Sequence, residues 1–325
     1  MNSIKWLMFN LIPAMYVISC WSSELNALPQ SLPSDECKNI VYVKVPKTGS
    51  STSSGIARRL AAHQPGCNFS AIHENWSECK YKHDKHNCPH GGMPGHHPSE
   101  PFVLANHMEF RKLESGLQDL ERKVFLWSTI RHPFDRCLSF YYYANAGKGN
   151  NTIESKLKFL REVRPPHACV NLQFNYLRPK ECMTVDCVLN KYDFLATAEL
   201  FEESMLLMGP GSLNTSLSSI MFIAAKVRRQ DMPWSKEPPE ILAEAMSTRF
   251  LEANTLDFEL WLKATARIRA LIKVGGEELK QRIRDYQEKI DKAADVCELK
   301  HPKHGDAYWG DQGLNYKCLD KHFGI

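Results

Sequence analysis

The sequence predicts an α/β fold, because two buried strands are each followed by a short polar loop and then by a helix. The first strand, Ile40–Val43, is β-branched and aromatic, and hydroxyl residues that favour helix N-caps follow it at Ser51–Ser54. The second strand is Val124–Ile130. Pro133 comes shortly after it, and proline suits the first turn of a helix because its missing N–H is not needed there.

The loop between the first strand and its helix, Pro46–Thr52, has the composition of an anion-binding turn. A strand–loop–helix junction directs backbone N–H groups and the positive end of the helix at one point, which suits a phosphate or sulfate. Lys47 adds a cation there. The GxxxxGK[ST] pattern of nucleotide triphosphatases does not fit, because the lysine precedes the glycine. Taken alone, the loop is also compatible with an ordinary βα turn.

The second junction carries a pair of side chains suited to a phosphate. Arg131 comes directly after the predicted strand, and Ser139 lies two helical turns further on. A guanidinium and a hydroxyl in these places can bind one phosphate from two sides.

Together, the segments PKTGSST and RHPFDRCLSFYYY resemble the 5′-phosphosulfate loop and the 3′-phosphate site of sulfotransferases that use 3′-phosphoadenylyl sulfate (PAPS). They are similar to the Golgi carbohydrate enzymes, in particular galactose 3-O-sulfotransferases and heparan sulfate 2-O-sulfotransferases. The resemblance extends over roughly residues 38–270 through three further segments, Asn106–Phe110, Phe194–Ser204 and Asn254–Trp261. Glu109 stands where the galactose enzymes carry arginine, which leaves the acceptor contacts open.

The resemblance implies a P-loop-like sulfotransferase fold, which is one α/β domain with a central parallel sheet flanked by helices. It also implies an enzyme that transfers a sulfuryl group from PAPS to a hydroxyl of a glycan or glycolipid, with galactose 3-O transfer favoured and no metal required. A heparan-type uronyl 2-O-sulfotransferase and a non-catalytic lumenal glycan-binding protein are the alternatives. A kinase or nucleotide hydrolase is disfavoured by the missing Walker sequence and the lack of a clear Asp-based Mg²⁺ site.

The resemblance also assigns the cofactor residues. Lys47 is expected to bind the bridging oxygen of the phosphosulfate and to act in catalysis, because it offsets the charge on the leaving phosphate. Arg131 and Ser139 are expected to hold the 3′-phosphate. The 5′-phosphate is expected to lie in a cradle formed by Thr48, Gly49, Ser50, Ser51 and Thr52. A basic cluster could close over the cofactor, with a solvated helix face as the equal alternative; it consists of Lys226, Arg228 and Arg229.

His107 is the candidate catalytic base. The acceptor hydroxyl is a poor nucleophile at neutral pH, and a neutral histidine has a suitable pKa for taking its proton. His107 follows the plausible strand Phe102–Ala105, which puts it at the carboxyl edge of the sheet, where α/β proteins bind ligands. Without the resemblance a structural or surface histidine would be the favoured interpretation. The match to the His-Met-Arg-Phe segment of the galactose enzymes reverses that preference.

The N-terminus predicts entry into the secretory pathway. Lys5 precedes the apolar run Trp6–Trp21, which is interrupted by Asn10 and Pro13. The run is short for a spanning helix and long enough for the core of a signal peptide, so residues 1–21 are interpreted as a signal anchor or signal peptide. Residues 22–37 are interpreted as a stem, and residues 38–325 as a lumenal sulfotransferase domain. The resemblance favours a single-pass type II protein of the Golgi membrane, attached through its N-terminal segment. Secretion after signal cleavage is the alternative.

Glycosylation signals and cysteines agree with an oxidising lumenal compartment. Four N-x-[ST] sequons predict glycosylation at Asn68, Asn75, Asn150 and Asn214. The chain has 11 cysteines, and we expect Cys137 to be a buried free thiol. Cys182 could pair with Cys187, and Cys297 with Cys318. The His- and Cys-rich stretch 67–101 predicts a disulfide-pinned loop rather than a zinc site, because its cysteine gaps are too long for zinc.

The charge of the chain is mildly positive. A formal net charge of +4 suits anionic cofactor and glycan ligands. The sequence has no Lys/Arg run long enough for a nucleic-acid tract, so nucleic acid is not an expected partner.

Overall fold

The computed structural model describes residues 38–62, 71–73, 102–118, 124–145, 151–162, 169–213, 215–223, 237–297 and 316–323. In these ranges five parallel strands form one sheet in the order β2-β3-β1-β4-β5. The strands are β1 (Asn39–Val43), β2 (Ala71–His73), β3 (Phe102–Asn106), β4 (Val124–Ile130) and β5 (Phe194–Thr197). The predicted parallel sheet is therefore confirmed.

Helices flank the sheet, as the α/β prediction requires. In the first half of the described chain they are α1 (Ser50–Ala62), α2 (Phe110–Gln118), α3 (Pro133–Ala144), α4 (Ile153–Arg161), α5 (Leu172–Leu177) and α6 (Val185–Lys191). After β5 come a short 3-10 turn (Ala198–Leu200), α7 (Phe201–Leu206), a π-helical segment (Leu207–Leu213) and a second 3-10 turn (Leu217–Ile220). The remaining helices are α8 (Pro239–Ala245), α9 (Thr248–Ala253), α10 (Thr255–Val274), α11 (Gly276–Val296) and α12 (Tyr316–Phe323).

The central strand β1 is apolar on both faces, because helices cover the sheet on both sides. Ile40 and Tyr42 belong to a core cluster that includes residues of α1, α7 and α11, whereas Val41 and Val43 belong to a second cluster that includes residues of α2, α5, α6 and α10. Residues of both sets are fully buried. This explains why the strand has a continuous apolar sequence rather than an alternating one.

The topology places a ligand crevice at the carboxyl end of β1 and β4. From β1 the chain continues to the β2–β3 side of the sheet, and from β4 it continues to β5 on the opposite side. The loops after β1 and β4 therefore diverge, which is the arrangement that binds ligands in open α/β sheets. Val43 is paired with both Asn106 and Ser128, so the residues that follow β1, β3 and β4 meet at this edge.

The C-terminal helices are held against the back of α1. α11 is amphipathic, with Ile283, Tyr286 and Ile290 buried in the core. The predicted pair Cys297–Cys318 is a disulfide that joins the end of α11 to α12. Asp320 on α12 also accepts a hydrogen bond from Arg59 of α1 at 2.6 Å.

Two further disulfides occur among the described residues. Cys182–Cys187 is formed as predicted. The expectation that Cys137 is a free thiol was wrong, because Cys137 of α3 is bonded to Cys169, with 5.1 Å between their Cα atoms. The two residues are 32 positions apart, and only the packing of the segment before α5 against α3 brings them together. Burial of Cys137 was predicted correctly.

Several predictions concern residues that lie outside the described ranges. These are the anchor and stem (1–37), the four sequon asparagines, the three cysteines of the 67–101 stretch, and Lys226, Arg228 and Arg229. Among the described helices, none has the length and apolar character needed to cross a membrane.

Candidate active site

The loop after β1 leaves its backbone open towards the crevice. Lys47 has φ 71° and Gly49 has φ 82°, so both lie in the left-handed region. This region is uncommon for a residue other than glycine and marks local strain, which proteins often retain at functional sites. A Cβ added at Gly49 would have no atom within 4 Å, so the space in front of this backbone is open to a ligand.

Helix α1 begins at this loop with its N-terminus facing the crevice. Its first hydrogen bond runs from the Ser53 N–H to the Gly49 carbonyl at 3.2 Å, so the N–H groups of Ser50 and Ser51 precede the helical ladder. The loop and helix start therefore suit a phosphate or sulfate group, since they combine backbone donors, the positive helix end and Lys47.

Hydroxyl groups of Thr48 and Ser53 stabilise the loop and the start of α1. Thr48 is fully buried, and its Oγ1 donates to the Val45 carbonyl at 3.0 Å. Of the predicted cradle side chains, Thr48 thus serves the loop itself, and only its N–H is left for a ligand. The Oγ atoms of Ser53 and Thr129 are 2.8 Å apart, which ties α1 to β4. Sequence reasoning did not single out Ser53, because its partner lies 76 positions away.

His107 lies directly beside this loop. It follows β3, and its Nδ1 is 2.7 Å from the Lys44 carbonyl oxygen. A carbonyl oxygen only accepts hydrogen bonds, so Nδ1 carries the hydrogen and Nε2 carries the lone pair of the neutral ring. Nε2 has no hydrogen-bond partner among the described residues. The structure thus fixes the tautomer in which Nε2 can accept a proton.

The surroundings of His107 keep the ring neutral. Although part of the residue is exposed, desolvation by the surrounding protein and the charges of Lys44 and Lys47 lower the pKa of His107 to about 4. The hydrogen bond to the Lys44 carbonyl acts in the opposite direction. Lys44 is itself buried, and burial together with Arg58 lowers the pKa of Lys44 to about 8. At neutral pH, His107 is therefore a proton acceptor and not a cation.

Lys47 connects the first loop with helix α3. Its Nζ lies 4.3 Å from the centroid of the Tyr143 ring, a cation–π distance. Tyr143 is one helical turn after Ser139, so the two side chains share a face of α3. The structure therefore brings the predicted catalytic lysine to the same helix face as the predicted 3′-phosphate serine.

Arg131 lies at the carboxyl end of β4, as predicted, and its half-buried side chain is close to acidic groups. Asp135 on α3 is buried, and burial raises the pKa of Asp135 to about 7, while Arg131 lowers it and Glu199 raises it. The Oδ1 atom of Asp135 has no hydrogen-bond partner within the described part of the chain. The crevice beside Arg131 thus contains a carboxyl group that changes charge near neutral pH.

Two other side chains near the crevice, His132 and Glu109, could in principle accept a proton, but one is buried and the other is ion-paired. His132 is buried, and its ring packs edge-on against Phe258 and Trp261. Burial and Arg131 lower the pKa of His132 to about 4. Glu109, in the position of the family arginine, forms ion pairs with Arg111 and Lys112. Neither side chain is presented to an acceptor as openly as His107.

The described residues contain no group of three or more His, Cys, Asp or Glu side chains arranged to hold a metal ion. The absence of a metal requirement stays a prediction.

Comparison with known proteins agrees with this geometry. The model of the sulfotransferase family matches residues 32–205, which is more than half of the 325 residues. The matched region contains Lys47, His107, Arg131 and Ser139. No curated protein matches the chain. The strands, the loop at the head of α1 and the family match lead to one conclusion: the chain belongs to the sulfotransferase family.

Proposed function

We propose that the protein is a PAPS-dependent carbohydrate O-sulfotransferase with His107 as base and Lys47 as the cation at the leaving group. Membership of the family supports sulfuryl transfer in general. The observation that carries the specific proposal is the 2.7 Å hydrogen bond from His107 Nδ1 to the Lys44 carbonyl. This bond joins the base to the loop that contains Lys47, so that both act on one reacting centre.

The residues divide the chemistry between them. PAPS supplies the activated sulfuryl group. His107 Nε2 takes the proton of the acceptor hydroxyl while the oxygen forms its bond to sulfur, so the nucleophile gains charge only as it attacks. Lys47 would bind the bridging oxygen and offset the negative charge that builds up there as the sulfur–oxygen bond breaks.

The same surface accounts for nucleotide selectivity. The N–H groups at the start of α1 would bind the 5′-phosphate, together with the hydroxyls of Ser51 and Thr52. Arg131 and Ser139 would bind the 3′-phosphate, which distinguishes PAPS from ATP. The contact of Lys47 with Tyr143, one helical turn after Ser139, supports a placement of the two phosphate sites beside each other, as one nucleotide requires.

A galactose 3-hydroxyl is the favoured acceptor within this proposal. The support is the likeness of Asn106–Phe110 to the His-Met-Arg-Phe segment of galactose 3-O-sulfotransferases. A uronyl 2-hydroxyl of a heparan-type chain is the second acceptor to test. Glu109, paired with Arg111, is the residue whose charge differs most from the galactose pattern.

We place the domain in the Golgi lumen, attached by the N-terminal segment as a type II protein. Three disulfides among the described residues support an oxidising compartment. The four sequons support the same placement.

Incubation with sulfur-labelled PAPS and a glycan panel, followed by linkage analysis, tests the proposed function. Transfer to galactose O-3 is expected. A thermal-shift series with adenosine 3′,5′-bisphosphate, PAPS and ATP–Mg²⁺ serves as the control for nucleotide class. Stabilisation by ATP–Mg²⁺ alone would favour a kinase or nucleotide hydrolase, and glycan binding without transfer would favour a lectin.

A further inference from the structure

A buried glutamine holds the main chain of Arg131 at two points. The Arg131 N–H donates to Gln173 Oε1 at 2.8 Å, and Gln173 Nε2 donates to the Arg131 carbonyl at 2.8 Å. Gln173 is 0% exposed, so water cannot replace these bonds. A side-chain amide that binds both groups of one residue acts like the neighbouring strand of a sheet, and it fixes the peptide planes on each side of Arg131.

Gln173 is in turn held by helix α10. Asp257 is fully buried; its Oδ2 accepts from the Gln173 N–H at 3.2 Å and its Oδ1 from the Phe174 N–H at 2.8 Å. The carboxylate thus caps the first turn of α5, the short helix that carries Gln173. The Asp257 N–H donates to Asn171 Oδ1 at 3.1 Å, so the start of α5 and helix α10 are joined by hydrogen bonds in both directions.

The main chain of His132, the residue after Arg131, is also held through a side chain of α10. The His132 N–H donates to Glu199 Oε1 at 2.7 Å, and Glu199 Oε2 accepts from Trp261 Nε1 at 3.0 Å. Trp261 lies one turn after Asp257 on α10. Two side-chain relays therefore connect α10 with the two residues between β4 and α3. α10 lies beyond residue 205, where the family match ends.

We propose that Gln173, supported by Asp257, is the positioning residue that aims the Arg131 guanidinium at the 3′-phosphate. The inference rests on the proposed role of Arg131. Arg131 lies between the end of β4 and His132, the N-cap of α3, so its carbonyl takes no part in the helical ladder. Gln173 binds both its N–H and its carbonyl, and Glu199 holds the N–H of the peptide that follows. An anion contact from two nitrogens of a guanidinium depends on direction, so a loosened main chain weakens it selectively.

The test compares adenosine 3′,5′-bisphosphate with adenosine 5′-phosphate by calorimetric titration. Gln173→Met keeps the volume of the side chain but removes both hydrogen bonds. We expect it to reduce the preference for the bisphosphate by about tenfold, which corresponds to the loss of one hydrogen bond between the Arg131 guanidinium and the 3′-phosphate. The affinity for the monophosphate should stay nearly unchanged. Gln173→Glu keeps the acceptor for the Arg131 N–H but offers no donor to the carbonyl, so a smaller reduction is expected.

The matched control is a side-chain contact to the main chain of β4. Asp193 Oδ2 accepts from the Leu126 N–H at 2.7 Å, near the opposite end of β4. Asp193→Ala should lower stability but leave the nucleotide preference unchanged. An unchanged preference in folded Gln173→Met and Gln173→Glu, or an equal loss in Asp193→Ala, overturns the positioning role alone. If the wild-type protein shows no preference for the bisphosphate, the proposed function fails and this inference fails with it.

Discussion

The ammonium group of Lys47 rests on the ring of Tyr143, 4.3 Å from its centroid, and this contact joins the loop after β1 to helix α3. Lys47 has a left-handed backbone conformation (φ 71°), which is unfavourable for a residue other than glycine. Tyr143 is 67% exposed, so the ring is not part of the core, and its contact with Lys47 is formed at the surface of the crevice. Each residue comes from a different one of the two segments that the sequence assigns to phosphate binding, so the contact brings these two segments together at one edge of the sheet.

Lys47→Ala should reduce turnover by about 10²–10³-fold and leave the fold intact, as for loss of one donor that stabilises developing charge. The expected effect is on kcat at saturating PAPS, because the charge grows during transfer. Lys280→Ala, which removes an exposed lysine on α11 paired with Glu277, is the control and should be silent. Near-normal turnover of Lys47→Ala would remove this lysine from the mechanism.

Arg131→Ala and Ser139→Ala should weaken binding of adenosine 3′,5′-bisphosphate far more than binding of adenosine 5′-phosphate. Both side chains are assigned to the 3′-phosphate, so the affinity for a nucleotide without this group should change little. Titration of both nucleotides against each variant measures the difference. Equal weakening of the two would show that the 3′-phosphate site lies elsewhere.

Asp135→Asn should change the dependence of thermal stability on pH. Burial raises the pKa of Asp135 from 3.8 to about 7, so between these values the folded protein holds a proton that the unfolded chain has released. Its contribution to stability therefore falls as the pH rises through this window. The melting temperature of Asp135→Asn relative to wild type should rise between pH 4 and pH 7 and then level off. A difference that does not vary with pH would contradict this assignment.

Removal of the Cys137–Cys169 disulfide should destabilise the domain by about 3–4 kcal/mol, because the bond closes a long loop in the unfolded chain. The double alanine variant, compared by denaturant unfolding, measures the loss. Removal of Cys182–Cys187, which closes a loop of only 5 positions, should cost about 2 kcal/mol on the same basis. Alkylation of Cys137 in the unreduced wild-type protein would show that this bond is not formed.

The sequence predicted those parts of the site that depend on neighbouring residues. The strand ends before Lys47, His107 and Arg131 follow from apolar runs of local sequence, and Pro133 marks the start of α3. The Gln173–Arg131 hydrogen bonds span 42 positions, and no local sequence pattern around Gln173 predicts them. Partners of this kind are set by how α5 and α10 pack on the sheet, which a single sequence does not encode locally.

The same limit applies to the state of His107. Its position after β3 was predicted, but its tautomer depends on the Lys44 carbonyl, and its lowered pKa depends on Lys44, Lys47 and the surrounding protein. An ordinary histidine would lose half its basic form near pH 6.5. With a pKa of about 4, the base should remain active well into the acidic range, and activity should fall only as the pH approaches 4, where imidazolium forms.

The most direct measurement of the central claim is kcat together with nucleotide affinity in His107→Asn. Asparagine can still donate to the Lys44 carbonyl but cannot act as a base. We expect kcat to fall by about 10²–10⁴-fold, the usual contribution of a general base, with the affinity for adenosine 3′,5′-bisphosphate almost unchanged. His322→Ala, at an exposed position of α12, is the control and should keep full activity. Full activity of His107→Asn, or loss of nucleotide binding in it, would contradict the assignment of His107 as the base.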